Sequence, residues 1–192
     1  MTALSIMGII LIGGCISEEK KKEELGDEIQ NIGEAVPEGW NYTINQNFIG
    51  EVTPSSGYGK IITQNSEEMT EIPHGLWKPE AIVKFVNPNK EIGYYSDVKT
   101  DKKINPSLQL YFYNIAEKQE IMEIIEQEKF RSWCIPIYFD ETKKYIIVTS
   151  PCYINSGIFT EEAKNYYSPL EKSLKEYFDK FKMSTAVIVL NH

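Results

Sequence analysis

Few side chains in this 192-residue chain are of types that do chemistry, and their spacing narrows what they could do. There are three cysteines, Cys15, Cys134 and Cys152, and two histidines, His74 and His192. His74 lies in Pro73-His74-Gly75, a turn-forming context. As a general base it would need a nucleophile and an orienting carboxylate beside it. Ser55, Ser56 and Asp97 are of suitable type, but nothing in the sequence selects one of them. No Cys-x-x-Cys, no His-x-x-x-His and no Glu flanked by histidines is present, so no metal centre and no cofactor is expected. Glu117, Glu120, Glu123, Glu126 and Glu128 spread over a wide helical face with Lys118 and Lys129 among them, the pattern of a solvated surface. Ser55-Ser56-Gly57-Tyr58-Gly59-Lys60 lacks the phosphate-loop spacing and reads as a turn.

Cys15 stands apart from the other two. Thr2 to Ser17 carry no charged side chain, Ala3 to Ile12 are nearly all apolar, and Glu18-Glu19-Lys20-Lys21-Lys22-Glu23-Glu24 follows abruptly. The apolar stretch is too short to span a bilayer, which takes about 20 residues, and fits the core of a signal peptide. Ile12-Gly13-Gly14-Cys15 resembles the lipobox of prokaryotic membrane lipoproteins. That resemblance implies cleavage before Cys15, a lipid thioether on its sulfur, and a protein held on the extracytoplasmic face of the cell membrane. The motif departs from the pattern in having no Lys or Arg ahead of the apolar core. On this reading residues 1–14 are the signal peptide, residues 15–35 a charged tether and residues 36–192 one domain. Residues 17–35 treated as flexible chain would span about 24 Å, although Leu25, Ile29 and Ile32 recur at helical spacing and could instead pack on the domain.

Outside a membrane, the remaining two thiols are expected to pair. The midpoint of Cys134 and Cys152 is Lys143, so a hairpin with the three-residue turn Thr142 to Lys144 would set them face to face. A four-residue turn would spoil the opposition unless a bulge restored it. Such a loop would stabilise by about 3 kcal/mol in the chain-entropy picture.

The formal charge of −8, with Arg131 the single Arg among 20 basic residues, excludes a nucleic-acid binder. The aromatic residues Trp40, Tyr42, Trp77, Tyr94 and Tyr95 fall outside the confident helices. Together with His74 they are the candidate binding residues, able to stack on sugars or anchor a protein interface. Asn41-Tyr42-Thr43 is a glycosylation sequon on an expected surface strand.

The elements that must position these residues follow from periodicity and punctuation. Pro37-Glu38-Gly39 is a turn, and Trp40 to Val52 reads as a strand or hairpin. Residues 53–79, rich in Pro and Gly, read as irregular with at most one short strand, Lys60 to Gln64. Ala81 to Val86, Leu108 to Tyr113, Cys134 to Phe139, Tyr145 to Ser150 and Ala186 to Leu190 read as strands. Asn114 caps a helix from Ile115 to about Phe130 with Ile121, Ile124 and Ile125 inward. Thr160 caps a short helix, and Ser168-Pro169 opens a second that runs to about Lys182, with Tyr166, Leu170, Leu174, Tyr177, Phe178 and Phe181 on one face.

Strands and helices mix without regular alternation, so the expected fold is a single α+β domain with a mixed or antiparallel sheet and two main helices. The function expected is a ligand- or partner-binding module rather than an enzyme. Its membrane contact would be the lipid on Cys15, and its partner an envelope protein or glycan. The rival expectation is an anchored hydrolase of an envelope polymer that uses His74.

Overall fold

The computed structural model describes residues 24–46, 48–55, 58–63, 69–73, 75–76, 78–93, 103–129, 135–150 and 161–182. In chain order the elements are α1 (Asp27–Gln30), a 3-10 turn (Ile32–Ala35), β1 (Asn41–Asn45), β2 (Phe48–Ser55), β3 (Tyr58–Thr63), β4 (Met69–Pro73), β5 (Ala81–Val86), β6 (Ile92–Gly93) and β7 (Lys103–Ile104). They continue with β8 (Ser107–Asn114), a second 3-10 turn (Ile115–Glu117), α2 (Lys118–Glu128), β9 (Ile137–Glu141), β10 (Tyr145–Thr149) and α3 (Glu161–Asp179). The main sheet has five strands in the order β1-β5-β8-β10-β9, all pairings antiparallel, and β2-β3-β4 form a three-stranded meander. The protein is α+β, with α2 and α3 its two long helices.

The central strands are buried on both faces, which is why they read as unbroken apolar runs. Ala81, Val83 and Phe85 of β5, Leu108, Leu110 and Phe112 of β8, and Tyr145 and Ile147 of β10 point to one face. There they meet Ile29, Ile32 and Ala35 and the α3 residues Tyr167, Leu170, Leu174, Tyr177 and Phe178. Ile82, Tyr111, Tyr113, Ile146 and Val148 alternate to the other face, against Ile121 of α2 and Ile72 and Leu76 at the end of the meander. Phe112 sits edge-on to Tyr145 at 5.7 Å and to Phe178 at 6.0 Å, knitting the sheet to α3.

Several expectations need correction. Residues 27–35 are part of the packed domain, not tether. Ile29 and Ile32 are fully buried, each contributing about 1.5–3 kcal/mol of burial. Ser173 Oγ of α3 donates to Ala35 O at 2.7 Å and fixes the segment's end. Trp40 to Val52 is neither one strand nor a hairpin, since β1 pairs with β5 and β2 with β3. Residues 53–79 are not irregular: they hold the end of β2, all of β3 and β4. Pro54 and Pro73 lie in the outer strands of that meander, the places where a missing N–H is tolerated. The two helices expected after Thr160 are one, Glu161–Asp179, which carries Pro169 in its interior. Pro169 is exposed, while Tyr167 and Leu170 beside it are buried on one continuous stripe. The apolar contact of that stripe offsets a lost hydrogen bond. Tyr167, not Tyr166, carries the stripe into the core.

Asn114 caps as expected: its Oδ1 accepts from the Ala116 amide at 3.0 Å. Ala186 to Leu190 lies outside the described residues.

Candidate functional site

The concavity on which expected residues meet is an open groove of about 480 Å³ lined by Gly33, Val36, Pro37, Glu38, Gly39, Trp40, Asn41 and Tyr42. One continuous segment builds it. The 3-10 turn is anchored by Ile32 and Ala35 in the core. The chain then reverses at Pro37-Glu38-Gly39, where the Trp40 amide donates to Pro37 O at 3.2 Å and Gly39 takes a φ of 86°. That is the type II pattern, for which Gly at the third position is suited. The turn delivers Trp40 half-buried against Tyr167, ring centroids 6.0 Å apart, and β1 begins at the next residue.

Tyr42 is the second aromatic residue of the lining. Its ring lies 6.5 Å from that of Phe85, and it remains 40% exposed. Its hydroxyl end comes so close to Gly33 that a methyl group on Gly33 would collide with it. The groove thus presents two aromatic residues of different exposure, with the exposed Glu38 also in its lining.

A second cleft of about 300 Å³ lies between α2 and the loop after β4, lined by Gly75, Leu76, Lys78, Tyr113, Glu117, Glu120, Ile121 and Ile124. Tyr113 Oη donates to Leu76 O at 2.9 Å, which leaves its oxygen committed to holding the loop. Burial, and then the charges of Tyr111 and Glu117, raise the Tyr113 pKa well above the ordinary phenol value. The Glu117 carboxyl is raised by burial first and by Glu120 and Glu80 next. Glu117 and Glu120, expected only on a solvated face, therefore belong to a cleft wall. Nothing in the sequence signals this, because the wall is completed by Gly75 and Leu76, which only the tertiary structure brings to this side of α2.

Of the residues selected from the sequence, Trp40 and Tyr42 are brought together. Cys15, His74, Trp77, Tyr94, Tyr95, Cys134, Cys152 and His192 lie outside the described residues. The register of the described β9 and β10 can be compared with the hairpin expected from the sequence. The connection between β9 and β10 is the expected Thr142 to Lys144, but the pairs nearest it, Ile146 with Glu141 and Ile147 with Asp140, are offset by one from a register centred on Lys143. A bulge between Ile147 and Val148 then moves the pairing by one, to Val148 with Tyr138 and Thr149 with Ile137. Those later pairs are centred on Lys143, the midpoint of Cys134 and Cys152.

Among the described residues no group of three or more His, Cys, Asp or Glu could hold a metal ion. Also among them, no helix is long and apolar enough to cross a membrane. No family model matches the chain, and neither a curated protein nor a solved structure is significantly similar to it.

Proposed function

We propose that this protein is a lipid-anchored envelope protein whose α+β domain binds an envelope glycan in the groove of Trp40 and Tyr42. The observation that carries the binding reading is that groove: it is open and its lining includes the aromatic residues Trp40 and Tyr42 and the acidic Glu38. Aromatic rings stack on the apolar faces of sugars, and a carboxylate accepts from their hydroxyls. The anchoring half rests on the lipobox-like Ile12-Gly13-Gly14-Cys15. Residues 16–23 alone separate Cys15 from the first described residue, Glu24, so the chain between them reaches at most about 30 Å. A lipid at Cys15 would hold the domain close to the bilayer, where envelope polymers are concentrated. Outside the membrane Cys134 and Cys152 form the hairpin disulfide that the Lys143-centred register favours.

Two measurements test this. Intact mass of the native membrane-extracted protein should show cleavage before Cys15 and an added lipid, and Cys15→Ser should release the protein to buffer. Trp fluorescence titration with solubilised envelope glycans should give saturable binding that Trp40→Ala and Tyr42→Ala each weaken at least about tenfold, a loss of about 1.4 kcal/mol. Binding that survives both substitutions would refute the groove. Binding abolished by His74→Ala together with glycan cleavage would favour the hydrolase instead.

A further inference from the structure

We propose that Asn41 is an N-glycosylation site, an inference that rests on the extracytoplasmic placement proposed above. The sequence holds a single Asn-x-Ser/Thr triplet whose middle residue is not Pro, Asn41-Tyr42-Thr43. The only other candidate, Asn105-Pro106-Ser107, is barred by its proline. The structure separates the two asparagines further. The Asn105 amide donates to Pro88 O at 3.2 Å and to Lys90 O at 2.7 Å, so its nitrogen is engaged in holding a loop. The side chain of Asn41 makes no hydrogen bond to any described residue. Asn41, Tyr42 and Thr43 are all exposed.

Their placement suits an acceptor. Among the described residues β1 is an edge strand of the five-stranded sheet, paired on one side only, with β5. Asn41 is its first residue and follows directly on the Pro37–Trp40 turn, so an enzyme can approach from the turn end and from the unpaired edge. In an extended strand residues two apart share a face, which puts the Asn41 amide and the Thr43 hydroxyl side by side. Tyr42 points to the opposite face, with Phe85. Asn41 also lines the groove, so a glycan there would stand at the groove's edge, on the strand face opposite the Tyr42 ring, and would cover a strand edge that is unpaired among the described residues.

The reaction is a transfer. Asn41 Nδ2 forms a bond to the anomeric carbon of a sugar carried on a lipid phosphate or pyrophosphate. The bond from that carbon to the phosphate oxygen breaks, and the amide proton leaves with the released lipid phosphate. Nothing is oxidised or reduced.

The test is peptide mass spectrometry on protein purified from the native membranes. The peptide containing Asn41 should carry an added mass made up of sugar units, lost in Asn41→Gln and in Thr43→Ala and retained in Thr43→Ser. An unmodified Asn41 peptide overturns the assignment. If Cys15 of that same preparation carries lipid, the anchoring reading stands and the glycan alone is lost. If Cys15 is bare as well, both fall.

Discussion

The Thr142 hydroxyl donates to Oε1 of Glu28 at 2.9 Å, joining residues 114 positions apart, and both side chains are buried. The same hydroxyl oxygen accepts from the amides of Lys144 at 3.2 Å and Tyr145 at 3.0 Å. One side chain thus shapes the β9–β10 connection and supplies the hydrogen bond that a buried carboxylate demands. Around it, the Gly26 amide donates to Tyr145 Oη at 3.0 Å and Lys144 Nζ to Glu24 O at 3.0 Å. The start of the domain is pinned to the hairpin it lies over. Thr142→Val keeps the volume and removes the three bonds that the Thr142 hydroxyl makes. It should lower unfolding stability by about 3 kcal/mol in urea titration. Glu28→Gln, which keeps an acceptor for Thr142, should cost clearly less.

Gly75 closes the second cleft. The Leu76 amide donates to Pro73 O at 3.2 Å, and Gly75 adopts a φ of 77°. A Cβ there would lie 2.8 Å from Ile124 Cγ2. Gly75→Ala therefore combines backbone strain with a collision against α2. A loss of about 1–3 kcal/mol is expected in thermal or denaturant unfolding, and Gly75→Ala with Ile124→Val should recover part of it.

Alkaline pH should weaken the fold. Burial, then the charges of Glu34, Glu28 and Asp27, push the Tyr177 phenol up to about 12. The unfolded chain loses that proton near pH 10, so between roughly pH 10 and 12 the folded state holds more protons and stability falls as pH rises. Lys182 acts in the same sense. Hydrogen bonds to Asp140 and Asp179 hold its ammonium well above the usual lysine range. The denaturation midpoint should be flat up to about pH 10 and drop beyond it, and Tyr177→Phe should make the drop shallower.

The register past the bulge makes a further prediction. Mass analysis of the native protein under non-reducing conditions should find Cys134 and Cys152 joined, and reduction should lower stability by about 3 kcal/mol. Two free thiols in protein isolated from the membrane would contradict it. Cys134→Ser should match the reduced protein in stability.

β5, β8 and β10 were legible because strands buried on both faces have few polar interruptions, and Ala81 to Val86 is found with its expected ends. The Asn114 cap was legible because it is a local bond between neighbours. The meander was not. Pro54, Gly59 and Pro73 signal breaks, yet Pro54 pairs with Gly59 and Pro73 with Tyr58, so these residues are accommodated in paired strands. For the groove, the sequence supplied Trp40, Tyr42 and the turn before them. It did not supply Gly33, because that residue was assigned to a tether.

By itself the sequence determined what depends on near neighbours. It carries the apolar stretch ahead of Cys15, the charge of −8, the caps and turns, and the alternating or unbroken apolar runs that became strands. Only the tertiary structure decided that Ile29, Ile32 and Ala35 lie in the core, that Pro169 sits inside one helix, and that a bulge recentres the β9–β10 register. Each of these turns on contacts between residues remote in the chain, as Glu28 is from Thr142. A local preference is a small energy that burial against a distant partner readily outweighs.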